Sequence, residues 1–159
     1  MTKKILMVCH GNICRSPMAK AILIKKLEEK KISDVQVDSA GTSDYHIGEA
    51  PDPRTLANGL KHDIDATSYR ARQFKSADFA TYDRIYAMDS ANFADIMLLA
   101  DSNRDKDKVK LFLEAAHPGS HDSVPDPWYG GEDGFEKVFQ ILDKACTIIA
   151  DQIKQGLLP

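Results

Sequence analysis

The segment Val8-Cys9-His10-Gly11-Asn12-Ile13-Cys14-Arg15-Ser16-Pro17 places a thiol and a guanidinium at the two ends of one short loop. Ahead of it, Lys4 to Cys9 is an apolar, partly β-branched run that reads as a buried strand. Behind it, Pro17 stands at a favoured first-turn position after Ser16. A helical pattern then runs from Ser16 to Lys31, with Ala21, Leu23, Ile24 and Leu27 as its inner face. Gly11 and Asn12 are the residue types that tolerate positive φ, as a tight turn between strand and helix demands. Such a turn is an anion cradle: its amides can point inward as a nest, and the helix behind adds about half a positive charge. The Lys-Ser/Thr ending of a nucleotide loop is absent, and a single glycine does not make a dinucleotide fingerprint.

The residues in this cradle suit attack on an oxyanion. The field of the loop favours the thiolate, the reactive form of a cysteine, and makes Cys9 a candidate nucleophile with Ser16 donating to its sulfur. Arg15 can bind two phosphoryl oxygens at once through its planar fork and follow them as the group flattens in the transition state.

Working outward, a second strand is expected at Val35–Ser39, closed by Ala40 and Gly41. A polar loop with Tyr45, Gly48, Pro51 and Pro53 leads to a short helix near Arg54 to His62. Tyr82 to Met88 reads as a third strand. Ser90 to Leu99 follows as a helix carrying Phe93, Ile96, Met97 and Leu99, and Val109 to Leu113 reads as a fourth strand. The Pro-, Gly- and Asp-rich stretch from His117 to Gly131 is irregular and long enough to be functional. An amphipathic helix closes the chain from Gly134 to Gln155, with Phe135, Val138, Phe139, Leu142, Ile148, Ile149 and Ile153 inside. This alternation predicts an α/β fold: a four-stranded parallel sheet with helices on both faces and the phosphate-binding loop between the first strand and first helix. One domain over residues 1–159 is expected, with no repeat or linker. Ligands of such sheets sit beyond the carboxyl ends of the strands, where Cys9, Ser39 and Met88-Asp89 fall.

Composition narrows the rest. A net charge of −3 over 159 residues argues against general affinity for nucleic acid or anionic membranes. Three cysteines are too few, and odd in number, for a disulfide scaffold, which implies a reducing, cytoplasmic setting. The apolar run from Ile5 to Cys9 is too short for a signal-peptide core, and no stretch is long enough for a membrane span. Cys146, in an apolar helical stretch, reads as a small buried hydrophobe. His10, His46, His62, His117 and His121 show no metal-ligand spacing, so no metal or other cofactor is expected.

The segment Val8 to Pro17 resembles the signature of the low-molecular-weight protein tyrosine phosphatases. Further segments resemble that family in the family's order: Asp38-Ser39-Ala40-Gly41-Thr42-Ser43, Arg70-Ala71-Arg72-Gln73, Met88-Asp89-Ser90-Ala91-Asn92 and Asp126-Pro127-Trp128-Tyr129-Gly130. The resemblance implies a hydrolase of aryl phosphate monoesters such as phosphotyrosine, acting through a cysteinyl-phosphate. Cys9 would be the nucleophile, Arg15 the phosphate clamp and Asp126 the general acid and then base. It also implies pocket walls from Trp128 and Tyr129, with Tyr45 opposite and Ile13 and His10 near the mouth. Asn12 and Ser39 would form a supporting pair, Asp89 a structural residue pairing with the Arg70/Arg72 region, and Cys14 a redox partner for Cys9. Expected partners are phosphotyrosine proteins or aryl phosphates, with the chain a monomer or weak dimer. Two positions depart from the family pattern: His10, where many relatives are apolar, and Tyr69, where many have His.

Two rival readings share the cradle. An arsenate reductase of the same fold needs additional cysteines to resolve its intermediate, and none lies between Cys14 and Cys146. A non-catalytic phosphate-binding module needs neither Cys9 nor Asp126, and both are present.

Overall fold

The computed structural model describes residues 2–159, apart from the side chain of Tyr129. Strands β1 (Lys3–Cys9), β2 (Val35–Gly41), β3 (Arg84–Ala87) and β4 (Val109–Leu111) form one parallel sheet in the order β2-β1-β3-β4. The chain leaves β1 for β2 on one side and then crosses to β3 on the other. The crevice this opens at the carboxyl end of β1 is where ligands of open α/β sheets bind, and Cys9 is the last residue of that strand.

Alternation along β1 builds the two cores. Ile5, Met7 and Cys9 join the core formed with α1 (Arg15–Glu29) and α7 (Gly131–Lys154). Leu6 and Val8 join a second core with Phe79 of α3 (Asp78–Thr81) and Ile96 of α4 (Ser90–Leu98). Both faces of the strand are buried, which is why its sequence reads as an unbroken apolar run.

Several expectations need correction in detail. The fourth strand stops at Leu111, and Phe112–Ala116 is a helix, α6. Phe112, Leu113, Ala115 and Ala116 are all buried there, a spacing that serves one helical face but in a short apolar run imitates a strand. In α1, Ile22 is fully buried and Ile24 only half-buried. Leu99 is exposed beyond the end of α4, and Ile148 and Ile153 pack at the margin of the α7 core. The short helices α3 and α5 (Asn103–Asp107) were not expected; α5 buries no residue and depends on Ser102, whose side chain accepts from the Asp105 N–H. The helix near Arg54 is α2 (Pro53–Lys61), N-capped by Asp52. Among the described residues no helix is long and apolar enough to cross a membrane.

The end of β2 is locked to the loop after β1. The Thr42 N–H donates to the Cys9 carbonyl at 2.9 Å and the Ser43 N–H to the His10 carbonyl at 3.0 Å. The approach is so close that a Cβ on Gly41 would lie 2.7 Å from the His10 oxygen and 3.1 Å from the Asn12 nitrogen. Gly41 is therefore required for space. Gly41→Ala is expected to lower stability by about 1–3 kcal/mol through overpacking, read as a falling urea midpoint. An unchanged midpoint would mean that the two backbones part freely.

Candidate active site

Asn12 makes the turn of the loop between β1 and α1. It is buried at φ 58°, a left-handed conformation that a branched residue resists. Its amide is fully engaged: Nδ2 donates to Ser16 Oγ at 2.8 Å and Ser39 Oγ at 2.9 Å, while Oδ1 accepts from the Arg72 N–H at 3.0 Å. The expectation of positive φ fits Asn12 and not Gly11. At Gly11 the tight contact is instead with a side chain: a Cβ there would stand 3.0 Å from the His46 ring.

This turn brings the start of α1 back onto the end of β1. Ser16 Oγ lies 3.0 Å from Cys9 Sγ, and the Ser16 N–H donates to the same sulfur at 3.5 Å. Among the described residues, the N–H groups of Gly11, Asn12, Ile13 and Cys14 donate to no backbone carbonyl. A run of free amides opening on a sulfur at a helix N-terminus is a site for an oxyanion.

Arg15 is 3 % exposed yet keeps one side free for a ligand. Its NH1 donates to Asp89 Oδ2 at 2.6 Å and to the Val124 carbonyl at 2.9 Å. Its NH2 lies 3.8 Å from Asp126 Oδ2. Burial alone would lower the guanidinium, but the Cys9 sulfur and the Asp89 and Asp126 carboxylates outweigh it and hold it above its usual value. Asp89 thus pairs with Arg15 and not with the Arg70/Arg72 region: Arg72 bonds Asp78 at 3.0 and 3.2 Å, and Arg70 bonds the Thr67 and Tyr69 carbonyls. With Oδ1, Asp89 also caps α4 through the Asn92 N–H at 2.7 Å. The irregular stretch before Asp126 is fixed to β3, the Val124 N–H donating to the Met88 carbonyl at 2.7 Å.

Cys9, Arg15 and Asp126 meet in a cavity of about 180 Å³ whose walls include His10, Ile13, His46 and Trp128. Tyr45 is not one of them. It is 75 % exposed and stands at the rim, its ring 5.8 Å from that of His10. His46 takes the wall position, held by Glu49 at 2.5 Å, with the Trp128 ring 6.1 Å away. The sequence offers no signal for His46 beyond its place next to Tyr45. The side chain of Tyr129 lies outside the described residues. Cys14 is buried beneath the loop, and desolvation first of all, with Asp52, Cys9 and Asp126 adding to it, pushes its thiol up to about 12. Tyr69 fills the variant position by packing at the core margin, with Lys20 Nζ 3.9 Å above its ring. Among the described residues no three His, Cys, Asp or Glu side chains are gathered so as to hold a metal ion.

A parallel sheet with a thiol-and-arginine phosphate loop at its carboxyl edge defines a cysteine-type phosphatase of the α/β class. The family profile described as low molecular weight phosphotyrosine protein phosphatase matches residues 4–157. A low molecular weight protein-tyrosine-phosphatase of Streptomyces coelicolor is 38% identical, the match covering 98% of this chain and 96% of that one. The Schizosaccharomyces pombe low molecular weight phosphotyrosine protein phosphatase is 43% identical over 90% of this chain and 94% of its own. The crystal structure of a protein tyrosine phosphatase from Entamoeba histolytica, with Hepes in the active site, superposes with a TM-score of 0.90 at 35% identity, covering 98% of this chain and 99% of that one. The chain belongs to the low-molecular-weight phosphotyrosine protein phosphatase family.

The Asn12 turn can be dissected by two substitutions. Asn12→Gly keeps the backbone free but removes three hydrogen bonds, at about 0.5–1.5 kcal/mol each. Asn12→Ala adds about 1–2 kcal/mol for a Cβ in the left-handed region. Urea unfolding is expected to rank parent above Gly above Ala; equal Gly and Ala variants would mean the loop relaxes out of the left-handed turn.

Proposed function

We propose that the protein hydrolyses aryl phosphate monoesters, phosphotyrosine in proteins above all, through a cysteinyl-phosphate on Cys9. The observation that carries this reading is the convergence of three groups on one cavity: the Cys9 sulfur facing Ser16 at 3.0 Å, the anchored Arg15, and Asp126 at 3.8 Å from its free nitrogen. In the first step the Cys9 thiolate attacks phosphorus, the bond to the aryl oxygen breaks, and Asp126 in its acid form protonates the departing oxygen. In the second, water attacks phosphorus, Asp126 takes its proton, and the phosphorus–sulfur bond breaks to release phosphate and the thiolate. Arg15 and the loop amides hold the three non-bridging oxygens throughout. Ser16 supports the sulfur as it leaves.

The walls favour a flat ring. Ile13, His46 and Trp128 make a slot at whose floor lies the sulfur, so an aryl ester reaches it and a short aliphatic phosphoserine does not. Relatives named as phosphotyrosine phosphatases agree with this choice. The arsenate reductase reading lacks a resolving thiol outside the phosphate loop: Cys146 is fully buried in α7, its Sγ 3.7 Å from the Ala19 carbonyl. The reducing, cytoplasmic setting inferred from the cysteine count suits a mechanism that depends on a free thiol.

Cys9→Ser is expected to abolish p-nitrophenyl phosphate turnover while inorganic phosphate still binds. Asp126→Ala is expected to lower kcat/KM by about 10²–10⁴-fold for the less acidic phenols and least for p-nitrophenol. A uniform slowing across phenols would remove Asp126 from the acid role.

Cys14, five residues after the nucleophile in the same loop, is read as its protector. Peroxide would oxidise the Cys9 thiolate to a sulfenic acid, and the Cys14 thiol would displace water from it to form a disulfide that a thiol reductant reopens. After peroxide and then dithiothreitol, the parent is expected to regain activity and Cys14→Ser to regain far less; equal recovery would exclude the protective disulfide.

A further inference from the structure

Arg54, the second residue of α2, lies outside the cavity yet touches both the phosphate loop's neighbour and the acid's loop. Its Nε and NH2 bond the two oxygens of Asp52 at 3.1 and 3.0 Å. Asp52 is itself buried, and its N–H donates to the Ile13 carbonyl of the phosphate loop at 2.8 Å. On its other side Arg54 donates through NH1 to the Trp128 carbonyl at 3.0 Å. Its guanidinium carbon lies 5.3 Å from the Trp128 ring centre and 4.7 Å from that of Phe135 in α7.

These contacts bear on the acid because the carboxylate of Asp126 is lightly held. Asp126 is half exposed, and among the described residues its hydrogen bond is to its own turn, accepting from the Trp128 N–H at 3.0 Å. Trp128 therefore sets the carboxylate's position, and Arg54 sets Trp128. We propose that Arg54 is a positioning residue for the acid step, a clamp tying the Asp126–Trp128 turn to the phosphate loop through Asp52. The proposal rests on the reading of Asp126 as general acid. A planar fork suits the task because it bonds a carboxylate with two nitrogens, a carbonyl with the third, and stacks on rings at once. Lysine could hold the carboxylate or the carbonyl but not both.

The test uses the whole protein and a series of aryl phosphates from p-nitrophenol to unsubstituted phenol. Arg54→Met is expected to lower kcat/KM, which reports the step in which the aryl oxygen leaves, about tenfold for phenyl phosphate and about twofold or less for p-nitrophenyl phosphate, a displaced acid retaining part of its contribution. Inhibition by inorganic phosphate, which reports the cradle alone, should move less than about twofold, and Arg54→Lys should fall between parent and Met. In Asp126→Ala protein, adding Arg54→Met should change kcat/KM less than about twofold, because the two residues act as one unit. Equal slowing of all esters by Arg54→Met, or its full effect multiplying onto Asp126→Ala, would overturn the proposal and leave the acid assignment intact. A flat leaving-group series in Asp126→Ala alone would overturn the acid assignment and the clamp with it. Should the Met variant fold poorly, Arg54→Lys carries the same comparisons.

Discussion

The left-handed turn at Asn12 is the constraint from which the site follows. A strand can deliver a thiol to the edge of a sheet, but only a reversal of the chain sets a helix N-terminus against the same sulfur. Asn12 at φ 58° provides the reversal, and its amide draws on three separated parts of the sequence, Ser16 in α1, Ser39 in β2 and Arg72 beyond α2. The loop is therefore not a free-standing motif. It is one wall of a backbone lattice in which Thr42 and Ser43 bond the carbonyls of Cys9 and His10, and Gly41 bonds both Arg72 and Phe74. Most of the loop's rigidity comes from residues that never meet the ligand.

Arg15 is the second knot, and it joins the other half of the sheet. A guanidinium this deeply buried would cost several kcal/mol without partners. Asp89 at the end of β3 and the Val124 carbonyl supply them. The same Asp89 caps α4, and the same Val124 is fixed to Met88. One cation thus collects the end of a strand, the start of a helix and the irregular segment that leads to Asp126. Removing either Arg15 or Asp89 strands the other charge, so this pair belongs to folding as much as to chemistry.

What the sequence reveals follows the range of the interaction. The phosphate loop is legible because its residues are neighbours in the chain and each one's chemistry is distinctive. The sheet is legible because β1 is buried on both faces and shows it. The pairing of Asp89 is not legible because its partner lies 74 positions away, and nothing local separates a carboxylate that pairs with Arg15 from one that pairs with Arg72. Gly11 looked like a residue of positive φ, when its actual constraint is the His46 ring, a contact between two loops that no local pattern announces. Tyr45 and His46 differ by one position, enough to put one side chain at the rim and the other in the wall. The fourth strand reads two residues too long, into Phe112 and Leu113 of α6, because so short an apolar run does not distinguish a period of two from one of 3.6. The resemblance to the phosphatase family supplies the proposed role of Asp126, which composition does not, since an aspartate before a proline is first of all a turn residue.

Arginine at position 15 answers two demands that pull in opposite directions. A clamp must be fixed before the ligand arrives, or its ordering is lost from the barrier it should lower. It must also keep donors free for the oxygens whose charge grows in the transition state. The guanidinium separates these tasks on different nitrogens: NH1 is committed to Asp89 and Val124, while among the described residues NH2 approaches Asp126 alone, at 3.8 Å. An ammonium has one nitrogen on a flexible stem, and bonding it to Asp89 would turn it away from the ligand. The unpaired amides of Gly11 to Cys14 follow the same logic, since donors already satisfied by the fold could not be turned toward phosphate. The cradle is thus anchored through one set of atoms and open through another, and it is the anchoring that permits the opening.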